Sequence, residues 1–90
     1  MFVWDEAKRW LNLRKHGIDF MDAEKIFRGV TFTAEDDSAT YDEQRFLTLG
    51  LLEDQVVSVA HTEQGEKIRI ISIRKATKHE ARFYFSQITY

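Results

Sequence analysis

Arg45-Phe46-Leu47-Thr48-Leu49-Gly50-Leu51-Leu52, Gln55-Val56-Val57-Ser58-Val59-Ala60-His61-Thr62 and Lys67-Ile68-Arg69-Ile70-Ile71-Ser72-Ile73 decide the fold of this chain. Each run is rich in aliphatic and β-branched residues, and the breaks between them, Glu53-Asp54 and the stretch around Gly65, are turn-forming. Three such runs in succession predict a meander. Successive side chains on a strand point to opposite faces. Read by sequence parity, Leu47, Leu49, Leu51, Val57, Val59, Ile71 and Ile73 form an aliphatic face, expected to be the core beneath helices. Thr48, Gly50, Ser58, Ala60, Ser72 and Arg74 form the other face, joined by Phe46, Val56 and Ile70. An antiparallel sheet commonly leaves one face to water, so this second face reads either as solvated surface or as a shallow cleft. Arg74 has the parity of the open face and Arg69 that of the core face. An ideal strand does not send both into one cleft. Twist, a bulge or snorkelling would bring the Arg69 head to the edge; an ion pair with Glu43 or another acidic side chain is the alternative.

Working outward from the meander, the flanks read as helices with identifiable ends. Phe2-Val3-Trp4 is a short strand, and Asp5 caps a helix over residues 6–16 by accepting a backbone N–H. Lys15-His16-Gly17-Ile18 ends it. Glycine takes the left-handed conformation there, with Ile18 folding back, and the two basic residues sit at the negative end of the helix dipole. Asp19 caps a second helix with Phe20, Ala23 and Phe27 on one face, stopped by Gly29. Val30-Thr31-Phe32-Thr33 is a strand, and the polar stretch from Glu35 to Asp42 is a loop. Thr77-x-x-Glu80 has the form of a capping box and opens a C-terminal helix over residues 78–88. The predicted order is β-α-α-β-β-β-β-α. This is an α+β fold with an antiparallel sheet of four to five strands, two N-terminal helices and one C-terminal helix, packed on one sheet face.

Ninety residues suit one domain, residues 1–90, with no room for a second core. With 43% hydrophobic and 31% charged residues, the chain has the balance of a globular protein rather than a disordered one. No apolar run approaches the roughly 18 residues that cross a bilayer. Met1-Phe2-Val3-Trp4-Asp5 meets acidic residues at once, without the basic start of a signal peptide. With no cysteine there is no disulfide framework and no thiolate ligand or nucleophile. A cytoplasmic location is expected. The net charge of −2 hides an asymmetry: residues 1–60 hold seven Lys/Arg against twelve Asp/Glu, a balance of −5, and residues 61–90 hold six against three, a balance of +3. A basic end attracts polyanions even on a mildly acidic chain, although such charges also serve simply to solvate a helix.

The chemistry on offer is narrow. His16, His61 and His79 show no metal-ligand spacing, and there is no glycine-rich phosphate loop or nucleophile elbow, so no metal or cofactor is expected. What remains is a basic set: Lys15, Arg45, Lys67, Arg69, Arg74, Lys75, Lys78 and Arg82, with the histidines and Tyr84. Arginine forks bind phosphate bidentately and offset the added charge of a pentacoordinate transition state. RNA carries its own nucleophile in the 2′-OH, so a metal-free enzyme needs only a base, a phosphorane stabiliser and an acid. Histidine suits the proton transfers; Glu80 and Lys15 are the other candidates. Each also has an ordinary reading, with His16 a helix-end residue, Glu80 a capping partner, and Trp10 and Tyr84 packed aromatics rather than base-stacking platforms.

At this point the residues match a known pattern. Phe2-x-Trp4-Asp5, Asn12-x-x-Lys15-His16-Gly17-Ile18-x-Phe20, Glu43-x-Arg45 followed by Gly50, and Arg69-Ile70-Ile71-Ser72-x-Arg74-x-Ala76 resemble, in this order, the BrnT toxins. The resemblance implies a RelE-like fold and a metal-independent endoribonuclease of a type II toxin–antitoxin system that inhibits translation and growth. It further implies a BrnA antitoxin with a ribbon-helix-helix DNA-binding part, bound in a dimer or heterotetramer that reaches operator DNA only through the antitoxin. By motif and chemistry, the catalytic candidates are Arg74, Arg69, Glu80, His16 and Arg45; the RNA-binding candidates are Lys15, Ser72, Lys75, Lys78 and Arg82. Glu43 shares a motif with Arg45, whereas Trp4 and Gly17 look architectural. The rival expectation, favoured by the net acidity, is a non-enzymatic or degenerate module that serves as an antitoxin-binding co-repressor.

Overall fold

A computed structural model describes residues 1–40 and 42–88. In chain order they form β1 (Phe2–Trp4), α1 (Glu6–His16), a 3₁₀ turn (Phe20–Asp22), α2 (Ala23–Arg28), β2 (Phe32–Asp36), β3 (Arg45–Leu52), β4 (Gln55–Gln64), β5 (Lys67–Lys75) and α3 (Lys78–Ile88). The α+β order is the expected one. The five strands lie in the order β1-β5-β4-β3-β2. β1 runs parallel to β5 while the other pairs are antiparallel, so the sheet is mixed rather than wholly antiparallel. No hairpin links β1 to β5, and nothing forces that pair antiparallel. The second predicted strand is displaced, since Val30 and Thr31 precede β2, which runs on to Asp36. The loop after it includes Tyr41, which lies outside the described residues.

Register corrects the parity assignment. The turn between β3 and β4 has two residues, Glu53 and Asp54, with φ of 49° and 68°, the left-handed pair of a tight hairpin. Leu52 therefore pairs with Gln55, Gly50 with Val57 and Thr48 with Val59, and odd positions on β4 share a face with even positions on β3. Leu47, Leu49 and Leu51 thus lie opposite the face that holds Val57 and Val59. Sequence parity had joined them because parity carries over only within a strand. A second device lies in β5. Pairing with β4 shifts between Ala60 and His61, so that Ala60 faces Ser72 while His61 faces Ile70. Ile71 is the extra residue of a β-bulge, which reverses the alternation along the strand. Ile73, Ile70 and Ile68 consequently share the Val57–Val59–His61 face. Arg69, Ser72 and Arg74 share the other. Ile71, expected in the core, is only half-buried.

Helices cover both faces, not one as expected. On the first face the 3₁₀ turn and α2 bring Phe20, Ala23 and Ile26 down on Val57, Val59, Ile70 and Ile73, all nearly or fully buried, with Phe2, Trp4 and Phe27 at the margin. Each such large aliphatic or aromatic side chain contributes about 1.5–3 kcal/mol of burial. Gly50 makes the close approach possible: a Cβ there would stand 2.8 Å from Ile26 Cγ2 and 3.2 Å from Thr31 Cγ2. The expected second helix is thereby split, a 3₁₀ turn capped by Asp19 followed by a short α2. On the second face α3 buries Tyr84 against Leu49 and Val56, with Phe32, Ala81 and Ile88 around them, and the Tyr84 hydroxyl donates to the Val30 carbonyl at 2.6 Å.

α1 does neither. It lies along the free edge of β5, because β1 pairs only with residues 68–70 and leaves the C-terminal half of β5 without a neighbouring strand. Asn12, buried on α1, takes that neighbour's place. Its Oδ1 accepts from the Ile73 N–H at 3.0 Å, and its Nδ2 donates to the Ile73 and Ile18 carbonyls, both at 2.9 Å. The helix begins where Asp5 Oδ1 accepts from the Ala7 and Lys8 amides and ends at Gly17, φ +72°, whose N–H donates to the Leu13 carbonyl. Arg9 binds Asp19 through two hydrogen bonds, 2.8 and 3.0 Å, fixing the following turn. Asp19 is held below the usual carboxylate range, first by that guanidinium. The clamp places the C-terminal end of α1 beside the end of β5.

Candidate active site

Because Asn12 fixes α1 to Ile73, the side chains of Lys15 and His16 come to rest by Arg74, almost sixty positions away in sequence. Lys15, His16, Arg74, Lys75 and Thr77 line an open groove of about 530 Å³. A neighbouring groove of about 190 Å³ shares Lys15 and His16 and adds Lys8, Leu11, Asn12, Ile71 and Ser72. A third, of about 300 Å³, shares Lys75 and Thr77, continues past Lys78 to Ala81 and Phe85, and has one carboxylate, Asp54, in its lining. The three form a strip from α1, across the end of β5, to the start of α3. Lys8, Lys15, His16, Lys75 and Lys78 make no ion pair among the described residues.

Arg74 is the ordered cation of the strip. Its Nη1 donates to Glu80 Oε1 at 2.8 Å and its Nη2 to Glu80 Oε2 at 3.0 Å, with a further bond from Nη1 to the Lys75 carbonyl. Glu80 in turn accepts from the Thr77 amide at 2.8 Å, while its own amide donates to Thr77 Oγ1 at 3.1 Å. The capping box that starts α3 is thus also the cradle of Arg74. Hydrogen bonding to Glu80 raises the Arg74 pKa, and the same bond holds the Glu80 carboxyl below its ordinary range. A carboxylate so held is a poor proton carrier at neutral pH and a good positioning group. The end of the guanidinium is taken by Glu80, but Nε makes no hydrogen bond among the described residues. The side fork of Nε and one Nη therefore remains for an anion.

The bulge puts Arg69 on the same face as Arg74, yet their partners on β4, Thr62 and Ser58, are four residues apart, about 13 Å along a strand. Arg69 pairs with Glu43, and its Nε donates to Thr62 Oγ1 at 3.4 Å. Arg45 lies with Glu35, Asp36, Asp37, Asp42 and Glu43 at that far end. The structure does not bring Arg69 or Arg45 to the Arg74 groove. Ser72 lies in the strip, with a hydroxyl that makes no hydrogen bond among the described residues. Arg82 and His79 are exposed on α3. His61 lies away from the strip. It is fully buried, its Nε2 is 2.7 Å from Thr48 Oγ1, and it packs between Phe46 and Phe27. Burial lowers its pKa, so it is a neutral core residue. Trp10, expected to pack, is 53% exposed beneath the Arg9 guanidinium, 4.6 Å from the ring centroid.

Lys8, Leu11 and Thr77 line the strip without having stood among the sequence candidates. The signal for the first two was the spacing Lys8, Leu11, Lys15, which falls on one stripe of a helix. No group of three or more His, Cys, Asp or Glu among the described residues is placed to hold a metal ion. Among the described residues no helix is long and apolar enough to cross a membrane.

The fold and site define a small α+β domain in which Lys8, Lys15, His16, Lys75 and Lys78 border three adjoining grooves, beside an arginine oriented by its own carboxylate. Residues 4–80 of the 90 match the family described as "Ribonuclease toxin, BrnT, of type II toxin-antitoxin system", and the chain belongs to that family. It is thus a ribonuclease toxin by family, of a class that pairs with an antitoxin. No curated protein gives a significant match to the chain.

Proposed function

We propose that the chain is a metal-independent endoribonuclease that cuts RNA at the Arg74 groove. The carrying observation is the cradle, in which Glu80 occupies the end of the Arg74 guanidinium, Nε makes no hydrogen bond among the described residues, and Arg74 lines a groove with Lys15, His16 and Lys75. In the reaction, the RNA 2′-oxygen attacks the adjacent phosphorus and gives up its proton to a base. The P–O5′ bond breaks, and the departing 5′-oxygen takes a proton. The products are a 2′,3′-cyclic phosphate and a 5′-hydroxyl. Arg74 stabilises the phosphorane through its free fork. His16 is the residue in the groove suited to proton transfer. Glu80 positions Arg74, Lys15 and Lys75 hold the phosphates, and Ser72, Lys78 and Arg82 extend the binding surface. Arg69 and Arg45 act at the far end as flanking contacts or as ties to the preceding loop.

Cutting RNA in the cytoplasm would stop translation and growth. Neutralisation would come from a BrnA-type antitoxin, whose ribbon-helix-helix part would carry the complex, a dimer or heterotetramer, to operator DNA. Cleavage of naked RNA in the presence of EDTA, wild type beside Arg74→Ala, tests this reading. The wild type is expected to cut and the variant to lose at least about a hundred-fold in rate, the usual scale for one transition-state donor. A folded Arg74→Ala protein that cuts at the wild-type rate would displace the site. Harmless expression, no cleavage and tight antitoxin binding would establish the co-repressor instead.

A further inference from the structure

The reaction above draws on the groove beside α1 only through Lys15, His16 and Ser72 and leaves Lys8, Leu11 and Ile71 without a role. Lys8, Leu11 and Lys15 stand on one stripe of α1, and Ile71 and Ser72 of β5 face them across about 190 Å³ of open space. Lys8 and Lys15 are seven residues apart, about 10 Å along the helix axis. Between them lie two aliphatic side chains, Leu11 at 60% exposure and the bulged Ile71. The arrangement therefore alternates a cation, an apolar surface and a second cation. Asn12, at the bottom, is committed to Ile18 and Ile73, which leaves the Ser72 hydroxyl as the available neutral hydrogen-bonding group. No carboxylate lines the groove, and the groove runs directly into the Arg74 groove through Lys15 and His16.

Resting on the ribonuclease reading, we infer that this groove is a subsite for the RNA strand adjoining the scissile phosphodiester. Lys8 and Lys15 hold phosphates, Leu11 and Ile71 support the flat face of one base or its ribose, and Ser72 bonds a base edge or a 2′-OH. Charge complementarity selects a polyanion over an apolar peptide as the occupant. The alternation matches a nucleotide chain, in which charged and apolar groups repeat in the same order. The bulge is what opens the subsite. Without it Ile71 would alternate regularly with Ile70 and Ser72, and its side chain would not be offered to α1.

The test uses Lys8→Ala and Leu11→Ala, two exposed helix positions where alanine keeps the helix. A fluorescent 2′-O-methyl RNA oligonucleotide, which cannot be cleaved, reports binding by anisotropy. Cleavage of an unmodified RNA and of a dinucleotide reports chemistry. Each variant is expected to bind the oligonucleotide roughly ten-fold more weakly. Lys8→Ala should also reduce the slope of log affinity against log salt by about 0.7, whereas Leu11→Ala leaves it unchanged. Both should raise KM on the longer RNA, leave kcat in place and cut the dinucleotide as the wild type does. Unchanged oligonucleotide binding overturns the subsite, as does an equal loss on the dinucleotide. Intact RNA binding with weakened antitoxin binding would reassign the surface to a protein contact. If the wild type neither binds nor cuts RNA, the ribonuclease reading itself fails and takes the subsite with it.

Discussion

Replacing Asn12 by alanine should cost more than any other single polar substitution in this domain. Asn12 is 6% exposed and makes three hydrogen bonds to backbone groups, two of them to Ile73, a residue with no exposed surface. Alanine leaves the Ile73 N–H and C=O facing α1 with no partner. Each stranded buried group costs about 1–3 kcal/mol, so the pair gives about 2–6, and partial hydration of the vacated amide volume favours the lower half, about 2–4. A 90-residue domain has roughly 5–13 kcal/mol in all. Urea unfolding, with m of about 1–3 kcal/mol per molar, should therefore show the midpoint falling by about 1 M or more at constant m. Hydrogen exchange at the Ile73 amide should accelerate with it. Asn12→Asp sharpens the argument. A carboxylate still accepts from the Ile73 N–H but has no proton for the Ile73 and Ile18 carbonyls, so at neutral pH it should destabilise at least as much as alanine. As pH falls and the buried acid takes up a proton, one donor returns and the deficit relative to wild type should shrink. An Asn12→Ala cost below about 1 kcal/mol would mean that water serves Ile73 and that the helix is held by other contacts.

Two other substitutions or conditions probe the opposite face. His61 is buried with its pKa lowered by desolvation, so below the ordinary histidine value of about 6.5 the unfolded chain binds a proton that the folded one refuses, and stability falls as pH falls. The expected slope is at most about 1.4 kcal/mol per pH unit below pH 6.5; Asp19 and Glu80, held low, add their losses from about pH 5 downward. Thermal unfolding across this range, with NMR titration of the imidazoles, checks it; a His61 ring that protonates at the free-imidazole value without loss of stability refutes it. Gly50→Ala should cost about 1–3 kcal/mol, because its Cβ would press on Ile26, which is fully buried and has no space to yield. An unchanged urea midpoint would show that α2 slides freely over β3.

Much of this architecture was legible because it is local. Asp5, Gly17 and the Thr77–Glu80 box act within one turn of the chain, and the structure has all three in the expected roles. The strand-turn-strand rhythm of residues 45–75 is equally local. What sequence did not reveal depends on register. A two-residue turn pairs odd positions with even ones, so Leu47, Leu49 and Leu51 went to the wrong face. The bulge has no compositional mark, since Ile70, Ile71 and Ile73 are alike as β formers. That one extra residue turned the conflict between Arg69 and Arg74 into a shared face. The grouping of Lys15 and His16 with Arg74 was visible as a list of basic residues but not as a place, because it arises from a single amide, Asn12, bridging distant parts of the chain. His61 differed only by burial, which spacing does not report.

Under the proposed function, the division of the cations into those in ion pairs and those without one among the described residues is how an acidic chain would meet a polyanion. Arg9, Arg28, Arg69 and Arg74 are each joined to a carboxylate, and those pairs fix helices, the loop before β3 and the start of α3. Exposed pairs of this kind contribute little stability, at most about 1 kcal/mol. Around Arg74 itself Glu80 is occupied and no other carboxylate lines the groove, Asp54 stands further along beside Lys78, and Glu35, Asp36, Asp37, Asp42 and Glu43 gather with Arg45 at the other end of the sheet. A net charge of −2 is then compatible with a cationic strip, because at an ionic strength near 0.15 M screening over about 8 Å separates the two ends. Under the proposed function an approaching RNA would be repelled by the far end and admitted at the strip, and the acidic end would act as an orienting element.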